Sequence, residues 1–150
     1  MKVVVTNRKA YRDYEVLETL ECGIELKGSE VKSCRDSKIR LEDSFARLEN
    51  NDIILYNTHI SSYAEASYLN VEPDRPRRLL LRRAQINKLS AKAVQKGLTL
   101  VPLKAYFGDR GFLKIELALC KGKKLYDRRH DIKERETARE IRRVVKSRRK

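Results

Sequence analysis

The chain has 150 residues, with 35 Lys or Arg against 21 Asp or Glu and a formal net charge of +14. No apolar run approaches the ~20 residues that span a bilayer. Lys2 followed by Val3-Val4-Val5 lacks the apolar core and cleavage site of a secretory signal, so a soluble cytoplasmic protein is expected. Cys22, Cys34 and Cys120 are far apart and odd in number, which argues against a disulfide framework, and His59 and His130 stand alone. A zinc site assembled from these five residues remains an alternative, and three reduced thiols are the simpler expectation.

Residues 14–26 alternate. Tyr14, Val16, Leu20, Cys22, Ile24 and Leu26 share one parity, and Glu15, Thr19, Glu21 and Glu25 the other. That is the period of a strand with one buried face, and Glu18 and Gly23 interrupt it as a bulge or bend would. Gly28-Ser29 then punctuates the chain, with Ser29 placed to cap a short helix running through Arg35. A first hairpin is predicted from Phe45–Leu48 and Ile53–Tyr56 around Glu49-Asn50-Asn51-Asp52.

Residues 60–76 read as loop. After Pro73 and Pro76, Leu79, Ile86, Leu89 and Ala93 recur at helical spacing, with Gly97 as a C-terminal stop and Ser90 as a candidate break. A second hairpin follows. Val101, Leu103, Ala105 and Phe107 alternate, Gly108-Asp109-Arg110-Gly111 turns, and Leu113, Ile115, Leu117 and Leu119 alternate again. Several strands around one core, with helices beside them, suggest a small closed antiparallel barrel of the OB type. An open α+β sheet has the same periodicity.

The positive charge is concentrated at the carboxyl end. Residues 121–150 hold fourteen Lys or Arg and five Asp or Glu, leaving +5 for residues 1–120. From Ile132 nearly every residue is a helix former. Asp131–Arg135, Glu136–Arg139 and Glu140–Arg143 are favourable spacings, each worth roughly 0.2–0.5 kcal/mol. Ala138, Ile141 and Val145, with Val144 beside them, make a stripe too thin to hold a helix on the body. The tail is expected to be disordered when free and helical when a polyanion neutralises it.

No reaction chemistry stands out. Glu42-Asp43 lacks a partner for acid–base work, Gly122-Lys123-Lys124 lacks the upstream glycine of a phosphate loop, and the acids are scattered. No catalytic residue, metal or cofactor is expected. The basic groups make a better constellation: Asn7-Arg8-Lys9, then Lys32 and Arg35, then Arg75, Arg77, Arg78, Arg82 and Arg83, then Lys121, Lys123 and Lys124. Phosphate contacts explain them jointly, and arginine adds a planar fork and a stacking face. Tyr11, Tyr14, Tyr63 and Tyr126 are candidate stacking platforms. With aromatics scarce, recognition of folded RNA by shape is expected over a long single-strand channel. Two further classes stay open on composition: a structural ribosomal component with a basic extension, and an RNA-processing enzyme.

The motifs Asn7-Arg8-Lys9-Ala10, Gly23-Ile24-Glu25-Leu26-Lys27-Gly28-Ser29-Glu30-Val31-Lys32-Ser33, Arg77-Arg78-Leu79-Leu80-Leu81, Gly97-Leu98-Thr99-Leu100-Val101-Pro102-Leu103-Lys104 and Lys121-Gly122-Lys123-Lys124-Leu125-Tyr126-Asp127-Arg128-Arg129 occur in order. Over residues 7–150 the chain closely resembles the SmpB family, the bacterial SsrA-binding proteins. The resemblance implies an OB-like, six-stranded antiparallel barrel with about three short helices. It implies binding to the tRNA-like part of transfer-messenger RNA (tmRNA, or SsrA RNA) and delivery of that RNA to ribosomes stalled on messages without a stop codon. Elongation factor Tu with GTP accompanies the alanylated RNA, and the family catalyses no reaction.

Residues 1–130 would form the tmRNA-binding domain, with no membrane contact and no oligomer. Residues 131–150 would form the tail that occupies the empty message path near the small-subunit decoding centre. By resemblance, Glu30, Lys32 and Arg35 belong to the tmRNA-facing region, Glu30 reading a base edge or orienting a neighbouring cation. Tyr126, Asp127, Arg128 and Arg129 match the family's tail motif, with Lys133, Arg135, Ile141, Val144 and Val145 further along the tail. Two positions depart from common patterns: Arg82-Arg83 after the leucine triplet, and Thr137 where some members carry a bulky aromatic.

Overall fold

Asn50 and Asn51 both adopt left-handed backbone, at φ 49° and 66°. This two-residue turn has the twist that lets adjacent strands pair without splaying. It joins β4 (Phe45–Glu49) to β5 (Asp52–Tyr56), in register from Phe45 opposite Tyr56 to Glu49 opposite Asp52. The second hairpin joins β8 (Leu98–Phe107) to β9 (Leu113–Gly122), with Gly111 at φ 81° in its loop. The computed structural model describes residues 2–63, 71–94 and 97–123.

The remaining strands are β1 (Lys2–Thr6), β2 (Tyr14–Ile24), β3 (Ile39–Arg40), β6 (His59–Ile60) and β7 (Arg77–Leu80). The helices are α1 (Arg8–Asp13), α2 (Gly28–Arg35) and α3 (Arg83–Ala93). Neighbouring strands run β8-β4-β5-β7-β2-β9, and β9 pairs back onto β8, so six antiparallel strands close into a ring. β1 lies beside the free stretch of β8, and β3 and β6 form a separate ribbon. The expected six-stranded barrel with three short helices is the observed fold, and closure gives each barrel strand a neighbour on both sides.

The interior holds Ile24, Leu55, Leu79, Leu100, Ile115 and Leu117, and α3 adds Ile86 and Leu89. A second cluster of Ala10, Val101, Leu103, Ala118 and Cys120 lies between α1 and the other face of β8 and β9. The expectation that Val101, Leu103, Ala105 and Phe107 share one face is corrected. A bulge between Pro102 and Lys104 shifts the register by one residue. Val101 and Leu103 therefore face α1, while Ala105 and Phe107 face the barrel interior. A comparable irregularity between Val16 and Glu18 accounts for the break in the β2 pattern.

Other expectations change as well. Leu79 belongs to strand β7, so the helix begins at Arg83, runs unbroken through Ser90 and is capped at Val94. Gly97 is left-handed at φ 84°, beyond that cap. Helix α2 is capped at Lys27, ahead of Ser29: the Lys27 N–H donates to Glu30 Oε1 at 2.9 Å, satisfying a terminal donor. All three cysteines are buried free thiols. Burial pushes Cys22 and Cys34 up to about 12 and Cys120 up to about 11. Among the described residues no helix is long and apolar enough to cross a membrane, and no three His, Cys, Asp or Glu are grouped to hold a metal ion.

Candidate nucleic-acid interface

Strand alternation gives the adjacent Arg77 and Arg78 opposite fates: Arg77 points inward and Arg78 outward. The Arg77 side chain is fully enclosed. It donates from Nε to Glu30 Oε2 at 2.7 Å, from Nη1 to the Thr58 carbonyl at 2.6 Å and from Nη2 to the Pro73 carbonyl at 2.9 Å. Glu30, itself buried, also accepts from Arg75 Nη2 at Oε1 and from Arg75 Nε at Oε2, 3.2 Å away. Burial pushes the Glu30 carboxyl up, but hydrogen bonds from Arg75, the Lys27 backbone and Arg77 outweigh it and hold its pKa below the ordinary carboxyl value. Burial lowers the Arg77 pKa, with Glu30 opposing. One buried carboxylate thus pins one internal arginine and steadies a second, Arg75, at the surface.

Around Arg75 the surface is cationic. Lys32 lies over the Tyr63 ring at 5.6 Å from its centroid. Arg35 is exposed in the last turn of α2, where the helix dipole favours a cation. Arg78 is outside the barrel and paired with Glu25 at 2.9 Å.

A second cluster forms at α1. Asn7 caps the helix: its Oδ1 accepts from the Ala10 N–H at 3.1 Å, and its Nδ2 donates to the carbonyls of Leu41 and Pro102 at 3.1 and 2.9 Å. Arg8 is exposed, and Lys9 reaches Asp43 Oδ1 at 2.5 Å. The Lys123 N–H donates to the Asp13 carbonyl at 3.0 Å, which brings the end of β9, with exposed Lys121, against the end of α1. Cations far apart in sequence, Arg8 and Lys9 on one side and Lys121 and Lys123 on the other, therefore lie about one short helix.

The two clusters are joined by a polar groove lined by Arg40, Glu42, Asp43, Asn57, His59 and Asp74. Asp43, bound to Lys9, begins it. His59 Nδ1 lies 3.0 Å from Asp74 Oδ1, and the next residue is Arg75. The groove itself carries three carboxylates, Glu42, Asp43 and Asp74, beside Arg40, Asn57 and His59, so the cations lie chiefly in the clusters at its two ends. Such groups can grip a phosphate backbone and read edges of a folded RNA.

The structure divides the expected site residues. Arg8, Lys9, Lys32, Arg35, Arg75, Arg78, Lys121 and Lys123 reach the surface. Asn7 and Arg77, expected to touch RNA, are enclosed with their polar atoms engaged inside the protein, so they shape the interface from beneath it. Glu30 is likewise internal, orienting arginines. Lys124, Tyr126, Asp127, Arg128, Arg129, Lys133, Arg135, Ile141, Val144 and Val145 lie outside the described residues, as do the expectations of tail disorder and folding. Sequence reasoning passed over Arg12, Arg40 and the helix α1 itself. Asn7 directly before Arg8-Lys9-Ala10 was the available signal for that helix.

Comparison with known proteins agrees with this geometry. The family model described as "SmpB protein" matches residues 4–147. The SsrA-binding protein of Moorella thermoacetica is 52% identical over 150 residues, covering 100% of this chain and 97% of that one. The SsrA-binding protein of Caldanaerobacter subterraneus subsp. tengcongensis is 53% identical over 146 residues, covering 97% and 92%. A solved chain described as "tmRNA-SmpB: a journey to the center of the bacterial ribosome" matches with a TM-score of 0.70 and 50% identity, over 83% of this chain and 87% of that one.

Proposed function

Because this chain belongs to the SmpB family of SsrA-binding proteins, we propose that it is the RNA-binding adaptor of trans-translation. It binds the tRNA-like domain of tmRNA and brings it to ribosomes stalled on messages lacking a stop codon. The observation that carries this reading is identity of about half the residues, along essentially the whole chain, to SsrA-binding proteins and to a solved tmRNA–SmpB chain. The two cationic clusters on a closed barrel supply its physical basis.

Residues 1–130 act as the RNA-binding body and residues 131–150 as the ribosome-directed tail. A stalled ribosome with a truncated message has a vacant groove lined with phosphates. A cationic tail entering it gains charge-assisted contacts where the codon–anticodon duplex is missing, at the cost of its own ordering. Arg8, Lys9, Lys32, Arg35, Arg75, Arg78, Lys121, Lys123 and Lys124 meet RNA phosphates. Tyr126, Asp127, Arg128, Arg129, Lys133, Arg135, Ile141, Val144 and Val145 act in the message path. The protein works in the cytoplasm as a monomer and catalyses nothing itself. The alanylated RNA arrives with elongation factor Tu and GTP.

Deletion of residues 131–150 tests the division. Binding to a tRNA-like-domain transcript is expected to survive, and peptide tagging on stalled ribosomes to disappear. Equal loss of both activities overturns it.

A further inference from the structure

The outer face of β4, β5 and β7 carries a layered arrangement that the clusters at α1 and α2 do not use. In the barrel register Phe45 stands opposite Tyr56, Arg47 opposite Ile54, and Ile54 opposite Arg78. Ala46, Ile53, Leu55 and Leu79, which alternate with them, are buried in the core. The first set therefore shares the outside.

There the Phe45 and Tyr56 rings stack with centroids 5.5 Å apart and planes 17° off parallel. The Arg47 guanidinium carbon lies 4.8 Å from the Tyr56 centroid and 5.7 Å from that of Phe45. Glu49 fixes both partners: it accepts from the Tyr56 hydroxyl at 2.5 Å and lies 3.3 Å from Arg47 Nη2. Yet the Arg47 side chain remains 61% exposed. One flank of a planar cation is backed by an arene while water meets the rest of it.

Two further arginines flank this plane. Arg78 is 48% exposed beside Glu25, and Arg83 Nη1 donates to the Asn51 carbonyl, at 3.0 Å, in the turn joining β4 to β5. At its other end Phe45 borders the groove under α1 that Lys9 and Tyr14 also line. A cross-strand aromatic pair by itself is an ordinary way to steady a solvated sheet face. A guanidinium within cation–π distance of both rings, with two more arginines on the same side of the barrel and a cationic cluster bordering Phe45, fits something more: a nucleobase with phosphates on either side.

We propose that this face binds an unpaired RNA nucleotide, whose base stacks on the open side of Arg47 while Arg78 and Arg83 neutralise the flanking phosphates. The inference deepens the RNA-binding reading and rests on it for the class of partner. Its residues lie outside the clusters described above, apart from Arg78.

Fluorescence anisotropy with the full-length protein tests it, using three probes: a short oligouridylate, a blunt RNA duplex, and a tRNA-like-domain transcript. Arg47→Lys keeps the charge and loses the plane. It is expected to weaken oligouridylate binding about tenfold and to leave duplex binding within about twofold. Tyr56→Leu should match it. If that variant melts early, Tyr56→Phe, which keeps the ring, should bind oligouridylate like the unsubstituted protein. An Arg47→Lys protein that binds oligouridylate normally, or loses the duplex equally, overturns the proposal. Failure of the unsubstituted protein to bind the tRNA-like transcript, with oligouridylate binding still sensitive to Arg47→Lys, would instead sink the adaptor role and leave this site standing.

Discussion

Arg77 and Glu30 meet inside the fold, Nε to Oε2 at 2.7 Å, with neither side chain open to water. Removing one partner of such a pair strands a buried charge, which costs more than the pair itself contributes. Glu30→Gln is expected to lower unfolding free energy by about 3 kcal/mol. Adding Arg77→Met should cost less than the sum of the two single changes, because the stranded cation is gone. Arg75→Ala, at a partly exposed position, should cost less than either. Urea denaturation midpoints decide all three, and a Glu30→Gln protein as stable as the original would contradict the assignment.

The same carboxylate sets an acid limit. Its folded pKa is lowered, so its contribution is fully present above the ordinary carboxyl range and fades as pH falls through the lowered value. The stability gap between the unsubstituted protein and Glu30→Gln should therefore be constant from about pH 7 to 5 and shrink below about pH 4. A gap that stays fixed down to about pH 3 counts against this linkage.

Asn7 ties α1, strand β8 and the loop after β3 together through the Ala10 N–H and the carbonyls of Pro102 and Leu41. Asn7→Ala should destabilise the body by about 2 kcal/mol. The dependence of RNA affinity on salt should keep its slope, since no phosphate contact is lost. A shallower slope without loss of stability would place Asn7 on the RNA instead.

Where β9 ends, charge reversal should behave differently. Lys123→Glu with Lys124→Glu is expected to weaken RNA binding strongly in low salt and much less in high salt. A defect indifferent to ionic strength would remove these lysines from the phosphate contacts.

The three thiols are raised to about 12, 12 and 11 by burial. The native protein should resist alkylation at pH 8, because neither thiolate nor access is available. Labelling should track unfolding in denaturant. Rapid native labelling of Cys120 would show that α1 opens independently of the barrel.

The hairpins were legible because their signals are local: Asn50-Asn51 and Gly111 announce their own backbone geometry. Strand β7 was not, because Leu79 falls in phase with Ile86 and Leu89 and four residues are too few to overrule that period. Charge was the least legible property. Arg77 and Arg78 are the same letter side by side, and only the inward or outward turn of a strand, with Glu30 waiting 47 residues earlier, separates a structural arginine from a surface one. The barrel bulge was hidden for the same reason. An extra residue at Leu103 leaves no mark in composition and swaps the faces on either side of it.

Strands β8 and β9 each belong to two hydrophobic layers, one lining the barrel and one beneath α1. Neither layer can loosen without tugging the backbone of the other. A ligand gripping Arg8 or Lys9 would consequently tighten amide protons deep in β8 and β9. Hydrogen exchange in the barrel would then report an event on the far side of the sheet, with no moving part in between.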